Sequence, residues 1–278
     1  MLAMGAAIAV LSAATQATAH ALLKAGQDKL VVRGLIGMVS VLVMGPVTLC
    51  VPRPDGLLGW LALSAALHAI YQLVLIKAYE AADFSLAYPL ARGITPIATA
   101  ALGVWLLHDR LSATTVAGIG LTTAGFVFLV VGARPRPVGV VAAVAAGLLT
   151  STYTWVDAQG VRAASAPITF IAWFFVCDGL VMSLIAVVAR RRRILVLMKQ
   201  EGRRGVLAGL ASLVTYGAAL VALRLLPTGV ASTLRETSVV WGVVIARTAL
   251  KETIDRRRAI GTLCIACGAL LVLVGLRR

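Results

Sequence analysis

The chain has 278 residues, 60% of them hydrophobic and only 13% charged, with a mean hydropathy of +0.95. That excludes a soluble globular domain and leaves an integral membrane protein. A formal charge of +15 would suit nucleic acid, but the Lys and Arg residues sit in short segments between apolar runs, where they set membrane topology; no nucleic-acid partner is implied.

The apolar runs predict ten membrane-spanning helices, at about 3–24, 31–51, 57–79, 85–106, 113–132, 138–158, 167–189, 205–226, 228–250 and 259–276. Each is long enough to cross a hydrocarbon core of roughly 30 Å, and a barrel would show short alternating strands instead. The first run ends in "ATAHA", which offers a signal-like cleavage site. It lacks a basic n-region, however, so it is kept as a span.

Polar residues along the spans form stripes. On span 1, Ser12, Gln16, His20 and Lys24 recur every four residues and share one helix face. Span 2 is nearly pure apolar residues. Span 3 carries Ser64, His68 and Gln72 with Tyr71 beside them. Span 4 carries Tyr88, Arg92, Thr95 and Thr99 on one stripe, with Pro89 and Pro96 freeing backbone carbonyls around the arginine. Asp109 follows span 4 beside Arg110, where a carboxylate would fix the helix boundary. Span 5 is apolar, with Gly118, Gly125 and Gly132 at seven-residue intervals.

After the link "ARPRP" at 133–137, span 6 offers Thr150, Tyr153, Thr154 and Asp157. Span 7 is apolar apart from Asp178, and a basic loop at 190–204 precedes span 8. Span 9 carries Arg235, Glu236 and Ser238, and span 10 carries Gly261, Gly268 and Gly275. Cys264 and Cys267 form a C-x-x-C inside span 10 with no histidine nearby, so they read as small packing residues; no metal site or cofactor is indicated.

A shift of 143 residues lays 85–132 over 228–275, with Arg92 on Arg235, Asp109 on Glu252, and the three glycines of span 5 on those of span 10. The chain thus reads as two five-span copies, 1–132 and 138–278, joined at 133–137. Because five is odd, the second copy enters the membrane from the opposite side, which makes an inverted repeat of the kind found in secondary transporters. The glycine stripes call for close helix packing, either within one chain or across a homodimer.

Spans 2, 5, 7 and 10 can therefore face lipid all round, while the striped spans enclose a polar cavity. A single Ser or Thr in a span commonly bonds its own i−4 carbonyl, and a lone histidine can be a satisfied core residue. Arg92 and Arg235 differ, because an arginine two turns into a span costs about 2.5 to 3.5 kcal/mol on insertion scales. They are expected either to bind an anionic substrate or to hold an internal ion pair. Glu236 and Asp157 stand as their counter-charges and as candidate proton carriers. Tyr71, His68, Tyr88, Gln16, His20 and Tyr153 are the expected cavity wall.

The segment "LHAIYQLVLIKAYEAADFSLAYPLARGITP" (67–96), with "YTWVDAQGVR" (153–162) and "LRETSVVWG" (234–242), resembles the drug/metabolite transporter superfamily, specifically its EamA-type ten-helix members. Span 1 is similar only in part: "QATAHALLK" keeps Ala17, Leu22, Leu23 and Lys24 of the related motif but has Gln16 for its histidine, Ala19 for its tryptophan and His20 for its asparagine. The resemblance implies an all-α membrane fold of two inverted five-helix repeats, with transport of a small metabolite by alternating access and export as the commoner direction. The alternatives are a lipid-modifying membrane enzyme, for which no H-E-x-x-H or G-x-S-x-G motif is present, and a non-transporting assembly or sensor protein.

Sorting Lys and Arg by alternate loops gives 18 on one side, six on the other and two within spans. The positive-inside rule then places loops 24–33, 190–204 and 251–258 in the cytoplasm of a bacterium and both termini outside its plasma membrane.

Overall fold

The computed structural model describes residues 1–24, 26–81, 84–130, 137–248 and 255–276, and they hold helices and no strand. Eleven α-helices follow in order: α1 (Leu2–Lys24), α2 (Lys29–Thr48), α3 (Leu58–Ala81), α4 (Phe84–Leu107), α5 (Ala113–Val130), α6 (Pro137–Ala163), α7 (Pro167–Arg190), α8 (Ile194–Leu225), α9 (Thr228–Arg235), α10 (Ser238–Thr248) and α11 (Arg256–Gly275). Nine of them are long and apolar enough to cross a membrane. The short pair α9 and α10 occupies the remaining expected span. Most of the 133–137 link, and Glu252, lie outside the described residues.

Two expectations need correction. The predicted span 228–250 is not one regular helix: Glu236 and Thr237 separate α9 from α10. Their amides bond to the carbonyls of Thr233 and Leu234, three residues back, at 3.1 and 3.2 Å, and the Thr237 hydroxyl takes the Leu234 carbonyl at 2.6 Å. This is a tightened 3-10 turn, favoured where a Thr-Ser pair offers side-chain partners to the backbone. By contrast α4 runs helical through both Pro89 and Pro96. The second correction concerns 190–204, which is not a loop. A single 3-10 turn at Arg191–Arg193 leads directly into the 32-residue α8.

Helices α2 and α7 cross so closely that a Cβ built on Gly37 would lie 2.6 Å from the Gly179 carbonyl oxygen, and one on Gly179 the same distance from that of Gly37. Helices α5 and α11 repeat the contact through Gly118 and Gly268, again 2.6 Å in both directions. Contact at backbone distance gains dispersion that a lipid-facing surface does not. Of the two uses open to the glycine stripes, packing within one chain is the one seen here.

Between these outer pairs, α1 lies on α8, α3 on α6, and α4 against α6 and α9. An apolar core that includes Leu61, Val161, Phe170, Leu220, Leu223 and Leu234 fills one end of the bundle. The other end is hollow.

Candidate functional site

The hollow is a cavity of about 370 Å³. Its wall includes Gln16 of α1, His68, Tyr71 and Gln72 of α3, Arg92 of α4, Tyr153 of α6, Tyr216 of α8 and Arg235 of α9. Lys29, Arg33, Ile36 and Ser40 of α2 and Phe174, Phe175 and Asp178 of α7 also line it. Spans 2 and 7 therefore do not face lipid all round, as their composition suggested. They supply the mouth, where Arg33 pairs with Asp178 at 3.2 Å and Gln72 donates to the same carboxylate at 3.4 Å.

Tyr216 and Phe174 form the floor, while Gln16, Lys29, Arg33, Gln72, Arg92 and Asp178 lie at the middle of their helices or toward the end that carries the α1–α2 and α7–α8 turns. The cavity thus opens on the face richest in Lys and Arg. The side chains of His20 and Tyr88 lie outside the described residues.

The two arginines, partners in the sequence repeat, are not equivalent. Arg92 has its counter-charge: its Nε lies 2.9 Å from Glu236 Oε2, with both side chains buried. The N–H is poorly aligned with that oxygen, so this is an ion contact rather than a directed hydrogen bond. The Gln16 amide, oriented with its oxygen toward the guanidinium, accepts from Nη1 and Nη2 at 3.2 and 3.0 Å, and Ser238 accepts from Nη2 at 3.4 Å.

Arg235 is 7% exposed, and no carboxylate among the described residues comes within ion-pairing distance of it. Its Nε has no hydrogen-bond partner, and the guanidinium lies over the Tyr216 ring, 5.4 Å from the centroid. A buried guanidinium held by an aromatic face, with Glu236 acting on it only at longer range, gains when an anion joins it.

His68 stacks on Tyr153 with centroids 3.9 Å apart and meets the edges of Phe174 and Tyr216 at 4.9 and 5.1 Å. Tyr71 packs against Tyr153 at 5.2 Å. This aromatic wall ends on Asp157, which is fully buried behind it and does not line the cavity. Its Oδ1 accepts from the Ser64 hydroxyl, and its Oδ2 accepts from the Tyr216 hydroxyl and meets His68 Nε2 at 3.0 Å.

Sequence reasoning missed Tyr216. The available signal was a stripe on α8 of Ser212, Thr215 and Tyr216, at the spacing used on the other polar spans.

The opposite face of the bundle is closed by a polar latch. Asp109 does not pair with Arg110, as adjacency suggested, but reaches across to the second half of the chain. Its Oδ1 takes Arg162 Nη1 at 3.2 Å, and its Oδ2 accepts from the backbone N–H and hydroxyl of Thr228 at 2.6 and 2.7 Å. Arg162 also donates to the carbonyls of Leu223 and Leu226. Arg224 caps the end of α6 through the carbonyls of Arg162 and Ala164.

A membrane bundle with a charged cavity open to one face and an ion-paired seal on the other has the form of a transporter, and residues 137–274 match the model of the EamA-like transporter family. The chain belongs to that family. This EamA-like chain is thus a multi-pass membrane transporter of the drug/metabolite transporter superfamily. A solved crystal structure 18% identical to it superposes with a TM-score of 0.71 over 99% of this chain and 98% of the other, so the shared fold runs through both halves. A comparison with curated proteins finds no match.

Proposed function

We infer that this EamA-like protein is a secondary transporter of a small metabolite bearing a carboxylate or phosphonate group, working by alternating access. The observation that carries this reading is Arg235: a buried, cavity-facing guanidinium with no carboxylate partner among the described residues. An anion docked there gains a charge-assisted hydrogen bond and removes the cost of an uncompensated charge. A volume of about 370 Å³ suits a small solute, and Tyr71, Tyr153 and His68 give it an aromatic wall.

Arg92, already neutralised by Glu236, acts as a rigid neighbour that shapes the pocket. Loop charge supports a bacterial plasma membrane location with both termini outside and the cavity mouth on the cytoplasmic side. The pairing of α2 with α7 and α5 with α11 through reciprocal glycines supports two inverted repeats, 1–132 and 138–278.

The test is counterflow in proteoliposomes with two probes: phosphonoacetate, which offers both groups, and sulfoacetate, its fully ionised isostere at neutral pH. Exchange that is lost in Arg235→Ala is expected. Exchange of neither probe, or exchange untouched by Arg235→Ala, refutes the reading.

A further inference from the structure

We propose that Asp157, reached from the cavity through His68, is the proton-carrying site of this transporter, and that it couples the proton to the anion at Arg235 in the same direction of movement. This rests on the anion reading above and adds to it the coupling ion and the sign of coupling.

The argument begins with an imbalance of charge. Asp157 is 0% exposed, and among the described residues neither Lys nor Arg lies within ion-pairing distance of it. A carboxylate so placed stays ionised only with compensation from donors and from charge nearby. Ser64 and His68 face it from α3, Tyr216 from α8 and Tyr153 from its own helix, with Phe174 of α7 behind the His68 ring. Arg92 of α4, Arg235 of α9 and Glu236 of the turn after it carry one net positive charge: Arg92 pairs with Glu236 at 2.9 Å, and Arg235 acts on that carboxylate only at longer range.

Arg235 is linked to Asp157 through one side chain: the guanidinium sits over the Tyr216 ring, and the Tyr216 hydroxyl bonds Asp157 Oδ2. In the empty cavity the positive Arg235 therefore offsets the negative Asp157 across a single aromatic ring. An anion arriving at Arg235 cancels that offset.

Asp157 then takes a proton. The path is short, because His68 lines the cavity and its Nε2 lies 3.0 Å from Oδ2. A proton from cavity water adds to the His68 ring, and the Nε2 proton passes to Oδ2. The carboxylate becomes the acid, the ring returns to neutral, and the same contact then runs from Oδ2–H to Nε2. Net, one proton leaves the cavity water and one carboxylate is neutralised. By reciprocity, proton binding at Asp157 favours anion binding at Arg235 to the same degree. The two load together and leave together. Across a membrane with an inward proton gradient this drives uptake, the reverse of the export that is commoner in the superfamily.

Proteoliposomes containing trapped pyranine test it with sulfoacetate, which brings no proton of its own. In the unaltered protein, external sulfoacetate is expected to acidify the lumen, and an inward proton gradient to accumulate the probe above its exchange level. Asp157→Asn, which keeps an acceptor for the Ser64 and Tyr216 hydroxyls, should lose both the acidification and the accumulation in whatever equal-pH exchange of sulfoacetate it retains. Asp157→Glu should recover part of each.

Exchange without acidification in the unaltered protein overturns the coupling, as does accumulation that persists in Asp157→Asn, or a gradient that expels the probe. Exchange of neither sulfoacetate nor phosphonoacetate refutes the anion reading itself, and the coupling falls with it.

Discussion

The inequality of the two repeat-related arginines makes a quantitative prediction about stability. Arg92 and Glu236 form a buried pair at 2.9 Å, with the carboxylate side chain 1% exposed. Removing one partner of such a pair costs about 3 to 5 kcal/mol, because the other charge is left uncompensated in a low-dielectric site. Glu236→Gln conserves volume and keeps an acceptor, and Arg92 retains Gln16 and Ser238, so the loss should fall near the lower figure. Arg235 is different: it acts on Glu236 only at longer range than Arg92 does, so its removal orphans no contact ion pair and forfeits chiefly its seat over Tyr216, about 0.5 to 2 kcal/mol.

At roughly 2 to 4 °C per kcal/mol for a chain near this size, Glu236→Gln should lower the apparent melting midpoint in detergent by about 6 to 12 °C. At the same conversion the seat over Tyr216 is worth about 1 to 8 °C, and relief of the buried charge places Arg235→Ala at the low end of that range. Intrinsic tryptophan fluorescence during a thermal ramp, with size exclusion to confirm dispersity, measures both. If Arg235→Ala is as damaging as Glu236→Gln, Arg235 belongs to a structural pair and the anion site loses its foundation.

Three further outcomes follow from other parts of the bundle. Gly268→Leu should destabilise by at least about 1 to 3 kcal/mol, because the added side chain meets the Gly118 carbonyl, which cannot yield as a side chain would; Gly242→Ala, with nothing within 4 Å, is the matched control for chemical denaturation. Asp109→Asn should loosen the latch, seen as faster labelling of a Ser232→Cys probe in a cysteine-free background by an impermeant maleimide added on the Arg162 face; unchanged labelling would show that the latch does not hold that face shut. Asp28, at the N-cap of α2, has its pKa lowered from 3.8: burial alone would raise it, but the hydrogen bonds from Arg190 and from the Val31 amide outweigh burial. Its stabilisation is therefore present above pH 3.8 and lost as pH falls through the depressed value, so Asp28→Asn should be less stable than the parent at pH 7 and equal to it once both are fully acidified.

Much of this was legible in the sequence because a membrane forces polar groups to declare themselves. Arg92, His68 and Asp157 stand out in apolar runs since each is expensive there, and the four-residue spacing of Ser64, His68 and Gln72 puts them on one face whatever the packing. The pairing pattern was not legible. Spacing along a helix says nothing about which side chain it meets across an interface, so Asp109 was matched to its neighbour Arg110 rather than to Arg162, 53 residues on. The break after Arg235 was also hidden, because Thr and Ser are tolerated in spans and the prolines sit instead in α4, which runs helical through both.

That break explains why a repeat with matched arginines yields two different roles. In α4 the arginine sits within a continuous helix, and across the interface it meets the carboxylate of the broken one. In α9 the arginine is the last helical residue, and Glu236, next in the chain, enters the 3-10 turn and is committed to Arg92. Arg235 is thereby left with that carboxylate only at longer range, on an eight-residue helix fixed at its other end by Asp109. One short element carries the latch of the closed face at Thr228 and, at Arg235, the cation proposed to bind the anion. Any tilt of α9 that frees Thr228 from Asp109 must also move Arg235 against Tyr216, and through Tyr216 disturb Asp157. On the proposed mechanism, opening of the far face, release of the anion and release of the proton would all be tied to one rigid piece less than three turns long.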